Sequence, residues 1–194
     1  QASNELGKMT YVRILMPAGD WIAGGFNDLI RVPGGYPDVD RDPPATDMDA
    51  EIYKRYTAFV NYYIHQVNLM RHLLGEPYTV TYAAPSGVLL AVESEGGIAG
   101  TIEMSPYRTT IDWQESALVC FERGYVSLEL PAPLANNRPG RVEFFRDPDS
   151  DTTPKSVVPQ LPWIHAMRQQ AVNFVAAIKG EADPLCEAAE ALED

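Results

Sequence analysis

The chain has 194 residues, 45% hydrophobic and 22% charged, which suits one soluble globular domain and excludes collagen-like, disordered and coiled-coil chains. Asp and Glu number 27 against 15 Lys and Arg, a net charge of −12, so nucleic acid and anionic membrane surfaces are repelled at long range and are not expected as partners. Cys120 and Cys186 stand far apart, with no CxxC spacing and no histidine pair nearby. That pattern signals neither a zinc site nor a disulfide framework and fits a reducing compartment. No run approaches ~18 apolar residues, and residues 1–8 lack the parts of a signal peptide, so a cytoplasmic location is the expectation.

Residues 8–16 (KMTYVRILM) are rich in β-branched and aromatic side chains and stop at Pro17, predicting a first strand near one end of a sheet. Residues 19–44 hold two Gly-Gly pairs and four prolines around Trp21, Phe26 and Ile30, predicting a long packed loop. Asp47 or Asp49 can cap a helix that runs to Leu74, where Gly75 and Pro77 supply the stop. Short runs at 78–84, 88–94, 98–104, 115–122, 125–130 and 141–146, separated by hairpin-like turns, predict a mainly antiparallel meander. Residues 147–162 are polar and proline-rich and read as a surface loop. A second helix is predicted over 163–179, with Ile164, Met167, Ala171, Phe174, Val175 and Ile178 at helical spacing and Gly180 as its stop. A third begins near Pro184, and the chain ends inside it.

None of the 14 glycines is followed by another two positions on, so GxGxxG cannot occur, and neither a Walker A sequence nor a GxSxG elbow is present. The cysteines, in apolar or alanine-rich settings, read as inert filler.

The first helix is the informative element. At ~100° per residue, Lys54, Thr57, His65, Asn68 and His72 all fall within about 40° of Asn61. The remaining directions are mostly apolar or aromatic, which predicts a largely buried helix whose one polar stripe faces solvent, internal partners or a cleft. Solvent-facing stripes usually carry Glu and Lys. Two amides and two imidazoles favour a functional cleft, with Asn61 and His65, one turn apart, able to engage one small ligand and His65 suited to moving protons near neutral pH. His72 lies about 10 Å from His65 by helical rise, too far to share a metal ion. His165 reads as a structural or surface histidine.

The run Asn61-Tyr-Tyr-Ile-His65-Gln-Val-Asn68-Leu-Met-Arg71-His-Leu-Leu-Gly75-Glu76-Pro77 resembles the Gfo/Idh/MocA family of NAD(P)-dependent oxidoreductases, whose pattern there is Asp or Asn, three residues, His, and an apolar helix ending in LLGEP. The likeness continues in order through Gly7-Lys8-Met9, the Gly-rich hairpin from Gly96 to Met104, the segment from Phe121 to Leu128, and Phe174-Val-Ala-Ala-Ile-Lys-Gly180 followed by Asp183-Pro184. It spans nearly the whole chain. The resemblance implies an α+β fold: an open, mostly antiparallel sheet with helices packed on one face, of the glyceraldehyde-3-phosphate dehydrogenase-like C-terminal type. In that family this domain follows an amino-terminal Rossmann domain carrying the glycine loop and a catalytic lysine. Neither is in this sequence, so residues 1–194 are expected to be one domain excised from a larger enzyme.

Carried over by position, His65 matches the histidine held against the substrate as acid or base, and Asn61 a position that is commonly Asp. An amide orients an imidazole but cannot stabilise an imidazolium as a carboxylate does. Lys54, Thr57, Asn68 and His72 are the expected substrate-binding neighbours. Where many members carry a glycine cluster, this chain has Tyr56-Thr57-Ala58, so the pocket wall differs.

The implied function is substrate binding and oligomerisation within a sugar or polyol dehydrogenase that exchanges hydride between NAD or NADP and a secondary alcohol or carbonyl. This chain is then expected to be inactive alone and to bind no cofactor by itself. The alternatives are a non-catalytic interaction domain and part of an NAD-using non-redox enzyme such as a glycosidase. Runs such as 88–92 and 117–121 are apolar on both faces, which predicts an exposed apolar sheet face covered by a second copy, a homodimer or higher oligomer.

Overall fold

The computed structural model describes residues 5–23, 30, 33–35, 37–40, 43, 44, 46–148 and 152–194. The fold is α+β. Eight strands form one open sheet in the order β2-β3-β4-β1-β5-β6-β7-β8: β1 (Met9–Ala18), β2 (Tyr78–Ala83), β3 (Leu89–Ser94), β4 (Ala99–Arg108), β5 (Glu115–Phe121), β6 (Gly124–Leu130), β7 (Arg141–Arg146) and β8 (Lys155–Val157). Helices α1 (Ala50–Leu74), α2 (Ala166–Ile178) and α3 (Ala188–Ala191) complete it. Every neighbouring pair is antiparallel except β1 with β4.

The first strand is central, not near an end, which corrects the expectation from the sequence. It joins two meanders, β2 to β4 and β5 to β8, by pairing with β4 on one side and β5 on the other. Its alternation explains the choice: Val12 and Ile14 are wholly buried on the helix side, while Tyr11, Arg13 and Leu15 point the other way. Val12 stands between Gly100 and Val119, and Ile14 between Ile102 and Ala117. Nor does the strand end before Pro17. The register with β4 shifts between Met16 and Ala18, an irregularity at which a residue without an N–H can sit in a ladder.

The first helix forms as expected. Asp49 Oδ1 accepts the Ile52 N–H at 2.8 Å, and Gly75, in the left-handed region at φ 75°, donates its N–H to the Arg71 carbonyl. Its buried side is narrow, however. Only Gln66, Met70 and Leu74, one row at four-residue spacing, are fully buried, so the expectation of a largely buried helix is corrected. Met70 lies over Gly100, where an added Cβ would come within 3.0 Å of its Sδ and Cε. Met70 and Leu74 join Val12, Ile14, Val92, Ile102, Met104, Ala117 and Val119 in the core. Tyr78, at the start of β2, donates to the Val67 carbonyl at 3.1 Å, and burial pushes its hydroxyl up to about 12.

Three further expectations change. The surface loop predicted over 147–162 contains the edge strand β8, paired with β7 through Phe144, Phe145 and Arg146, whose outer backbone groups accept one more short strand; residues 149–151 lie outside the described set. Helix α2 starts at Ala166, capped by the His165 imidazole, which accepts the Met167 N–H at 3.2 Å, so His165 is structural. The apolar stripe of α2 is unpacked: Phe174 is 67% and Ile178 69% exposed, and no residue of α2 is buried. Helix α3 is a single turn, capped by Glu187 and closed at Leu192, shorter than predicted because Pro184 and the turn at 185–186 keep its start back. Much of the packed loop predicted over 19–44, including Phe26, lies outside the described residues, and within them Trp21 and Ile30 are exposed.

The sheet face opposite α1 is not a plain apolar patch. Leu89, Ala91, Leu118 and Cys120 lie there, but between them Arg13 makes a two-pronged pair with Glu103 at 2.6 and 2.8 Å, and Tyr11 bonds Thr101. Further out, Tyr125 stacks on Phe145 at 5.2 Å between centroids, and Glu143 accepts from Tyr125, Arg141 and Ser156.

Candidate functional site

Helix α1 is fixed at its C-terminal half by Met70 and Leu74 and at its middle by two polar links. Tyr63 bonds Ser105 at 2.6 Å, and Gln66 Nε2 donates to Glu115 Oε1 at 2.6 Å. The face turned away from these anchors carries the predicted stripe. Lys54, Thr57, Asn61, His65 and His72 are exposed and Asn68 is half-buried.

The six residues do not act as one group. Asn61 and His65 stand one turn apart with no hydrogen-bond partner among the described residues, so both side chains are available to an incoming group. Thr57 is turned inward, its hydroxyl donating to the Tyr53 and Lys54 carbonyls, and Lys54 sits a turn beyond it. Asn68 is engaged by the end of the chain: it donates to Asp194 Oδ2 at 2.8 Å and lies near Cys186 Sγ. Arg71 secures the same segment, holding Asp194 at 2.9 Å and the Glu190 carbonyl at 2.8 Å. His72 lines a separate hollow of about 280 Å³ between the end of α1 and α3, with Asn68, Arg71 and Cys186. The stripe is therefore split, with Asn61 and His65 open and Asn68 and His72 beside a docked tail.

Sequence reasoning passed over Gln66 and Glu115. Both are polar and buried; Glu115 also accepts the Trp113 indole N–H at 3.1 Å, and Gln66 Oε1 has no partner. The signal was present in part, since Gln66 falls on the Met70–Leu74 row, but its partner is 49 residues away.

A dinucleotide needs free backbone N–H groups for its phosphates. The described residues do not offer that cradle: the α1 N-terminus is taken by the Asp49 carboxylate with Glu51 in its first turn, and α2 begins under His165. Among the described residues no cluster of His, Cys, Asp and Glu could hold a metal ion, and no helix is long and apolar enough to cross a membrane. Burial pushes the Cys120 thiol up.

No protein-family profile matches the sequence, and no curated protein matches it. Solved structures do match the fold. A protein described as an NADPH-dependent oxidoreductase from Desulfitobacterium hafniense superposes with a TM-score of 0.61 at 12% identity, over 98% of this chain and 52% of that one. The UDP-N-acetylglucosamine 3-dehydrogenase of Acidithiobacillus ferrooxidans gives 0.53 at 13% identity, over 96% and 50%. A 3-ketoreductase of Actinomadura kijaniata, solved with NADP, gives 0.52 at 8% identity, over 97% and 48%. The chain thus spans about half the length of these oxidoreductases and has the fold of that half, as the resemblance in its sequence implied.

Proposed function

We propose that this chain is the substrate-side domain of an NAD(P)-dependent oxidoreductase acting on a sugar or polyol. The observation that carries the reading is the pair Asn61 and His65, exposed, without hydrogen-bond partners among the described residues and one turn apart on a helix that is otherwise anchored to the sheet. The fold shared with half of several oxidoreductases supports it. We assign the cofactor, which supplies hydride exchange, to another part of the enzyme, since the described residues offer no phosphate cradle.

In this reading His65 accepts the proton of the reacting hydroxyl in one direction and returns it in the other, and the Asn61 amide orients the imidazole or a neighbouring hydroxyl. The open sheet face, with Leu118 and Cys120 flanking the Arg13–Glu103 pair, is the surface for a second copy.

The test is turnover of the full-length enzyme. His65→Ala should lower kcat by ~100-fold or more, the scale for a positioned acid or base, and Asn61→Ala by less. Wild-type kcat and KM in both variants would remove the stripe from the active site. A second reading, a non-catalytic interaction domain, is favoured by the exposed apolar stripe of α2; unchanged turnover in the His65 variant would select it.

A further inference from the structure

A cleft of about 440 Å³ opens at the end of the sheet where β4 leads into β5 and β6 into β7, within the range of small-molecule sites. It is separate from the Asn61–His65 pair. Glu115, in its wall, is bonded to Gln66, but neighbouring helix residues point about 100° apart, so His65 faces elsewhere.

The walls combine two kinds of surface. Trp113 and Tyr107 supply aromatic area, and Asp112, Glu129, Arg138 and Arg141 supply charge of both signs. Glu115, buried on the α1 side of the sheet, binds Gln66 Nε2 at 2.6 Å and accepts the Trp113 indole N–H at 3.1 Å, which fixes the Trp113 ring at the rim of the cleft. Arg141 is steadied by Glu129 and Glu143, whereas Arg138 has no hydrogen bond or ion pair among the described residues.

This lining selects a ligand class. An ion of either sign meets like charge in the wall, and an apolar molecule would strand fixed donors and acceptors. A small neutral molecule with many hydroxyls satisfies both signs at once. Its hydroxyls donate to Glu129 and accept from Arg138 and Arg141, and its C–H face rests on the Trp113 ring. We propose that this cleft is a binding site for a neutral monosaccharide or polyol, additional to the α1 face and independent of the function assigned to it.

The chain has three tryptophans, so the Trp113 indole N–H is one of three resolvable signals in a nitrogen–proton correlation spectrum, assigned with Trp113→Phe. Titration with D-glucose and with myo-inositol should shift that signal saturably, with a dissociation constant of about 1–10 mM for a few hydrogen bonds. Arg138→Gln, at an exposed and unpaired side chain, should weaken binding by at least ~10-fold while leaving the rest of the spectrum in place. Glucose 6-phosphate should bind more weakly than glucose. No saturable shift at ~100 mM of either neutral probe, or binding indifferent to Arg138→Gln, overturns the proposal. Binding lost in His65→Ala and kept in Arg138→Gln also overturns it, while favouring the α1 face as the sugar site.

Discussion

Gln66 on α1 and Glu115 on β5 meet through a 2.6 Å hydrogen bond between two buried side chains that are 49 residues apart in sequence. The bond sets where the middle of α1 rests on the sheet, and so where the preceding residue, His65, is presented. Breaking one side leaves a buried polar group unmet, so Glu115→Leu should destabilise the domain by ~1–3 kcal/mol. The double variant with Gln66→Leu should cost less than the sum of the two single changes. Urea unfolding of the four proteins measures the cycle; strict additivity would mean the pair does not couple helix to sheet.

Close approach of Met70 to β4 requires glycine at position 100. A Cβ there would stand 3.0 Å from Met70 Sδ and Cε and from Val92 Cγ2. Gly100→Val should therefore destabilise by ~1–3 kcal/mol through overpacking, and Met70→Ala should recover part of that loss when combined with it. Thermal melts decide; a Gly100→Val protein as stable as wild type would show that α1 can lift without cost.

The Arg13–Glu103 pair makes stability depend on acid. The hydrogen bond from Arg13, aided by its charge and opposed by burial, holds Glu103 below its ordinary value of 4.5. Because the folded-state value is depressed, the contribution is complete above pH 4.5 and is lost as pH falls through the folded value. Glu143, lowered chiefly by Arg141, adds to the same trend. Tm should fall more steeply below pH 4.5 in wild type than in Glu103→Gln. Parallel curves for the two proteins would mean that the pair does not contribute.

Helix α2 carries its apolar stripe in the open. Phe174→Lys and Ile178→Lys should change stability by less than ~0.5 kcal/mol, the ordinary scale for exposed positions, while reducing binding of a hydrophobic dye such as ANS. Losses beyond ~2 kcal/mol would mean that the stripe packs on the domain in solution.

What the chain determines by itself is local. Asp49 and Gly75 bound α1 because caps act within a few residues of the groups they satisfy, and the alternation of 125–130 and 141–146 marks strands because the period of two belongs to the extended backbone itself. The Asn61–His65 spacing is legible for the same reason, since a helix puts i and i+4 together wherever it sits. The central place of β1 was not legible: Val12 and Ile14 acquire their neighbours Ile102 and Val119 only when two meanders close on either side. Likewise, whether a helical face is buried depends on what lies beneath it. The aromatic flanks of α1 remained half-exposed because the sheet offers room for one row, Gln66, Met70 and Leu74, over Gly100. The stripe of α2, as apolar by pattern as any core helix, stayed exposed because among the described residues no strand packs closely beneath it. Glu115 became a partner of Gln66 through a contact whose free energy exists only after β5 lies across from α1; such long-range pairing carries no periodic signature in the sequence.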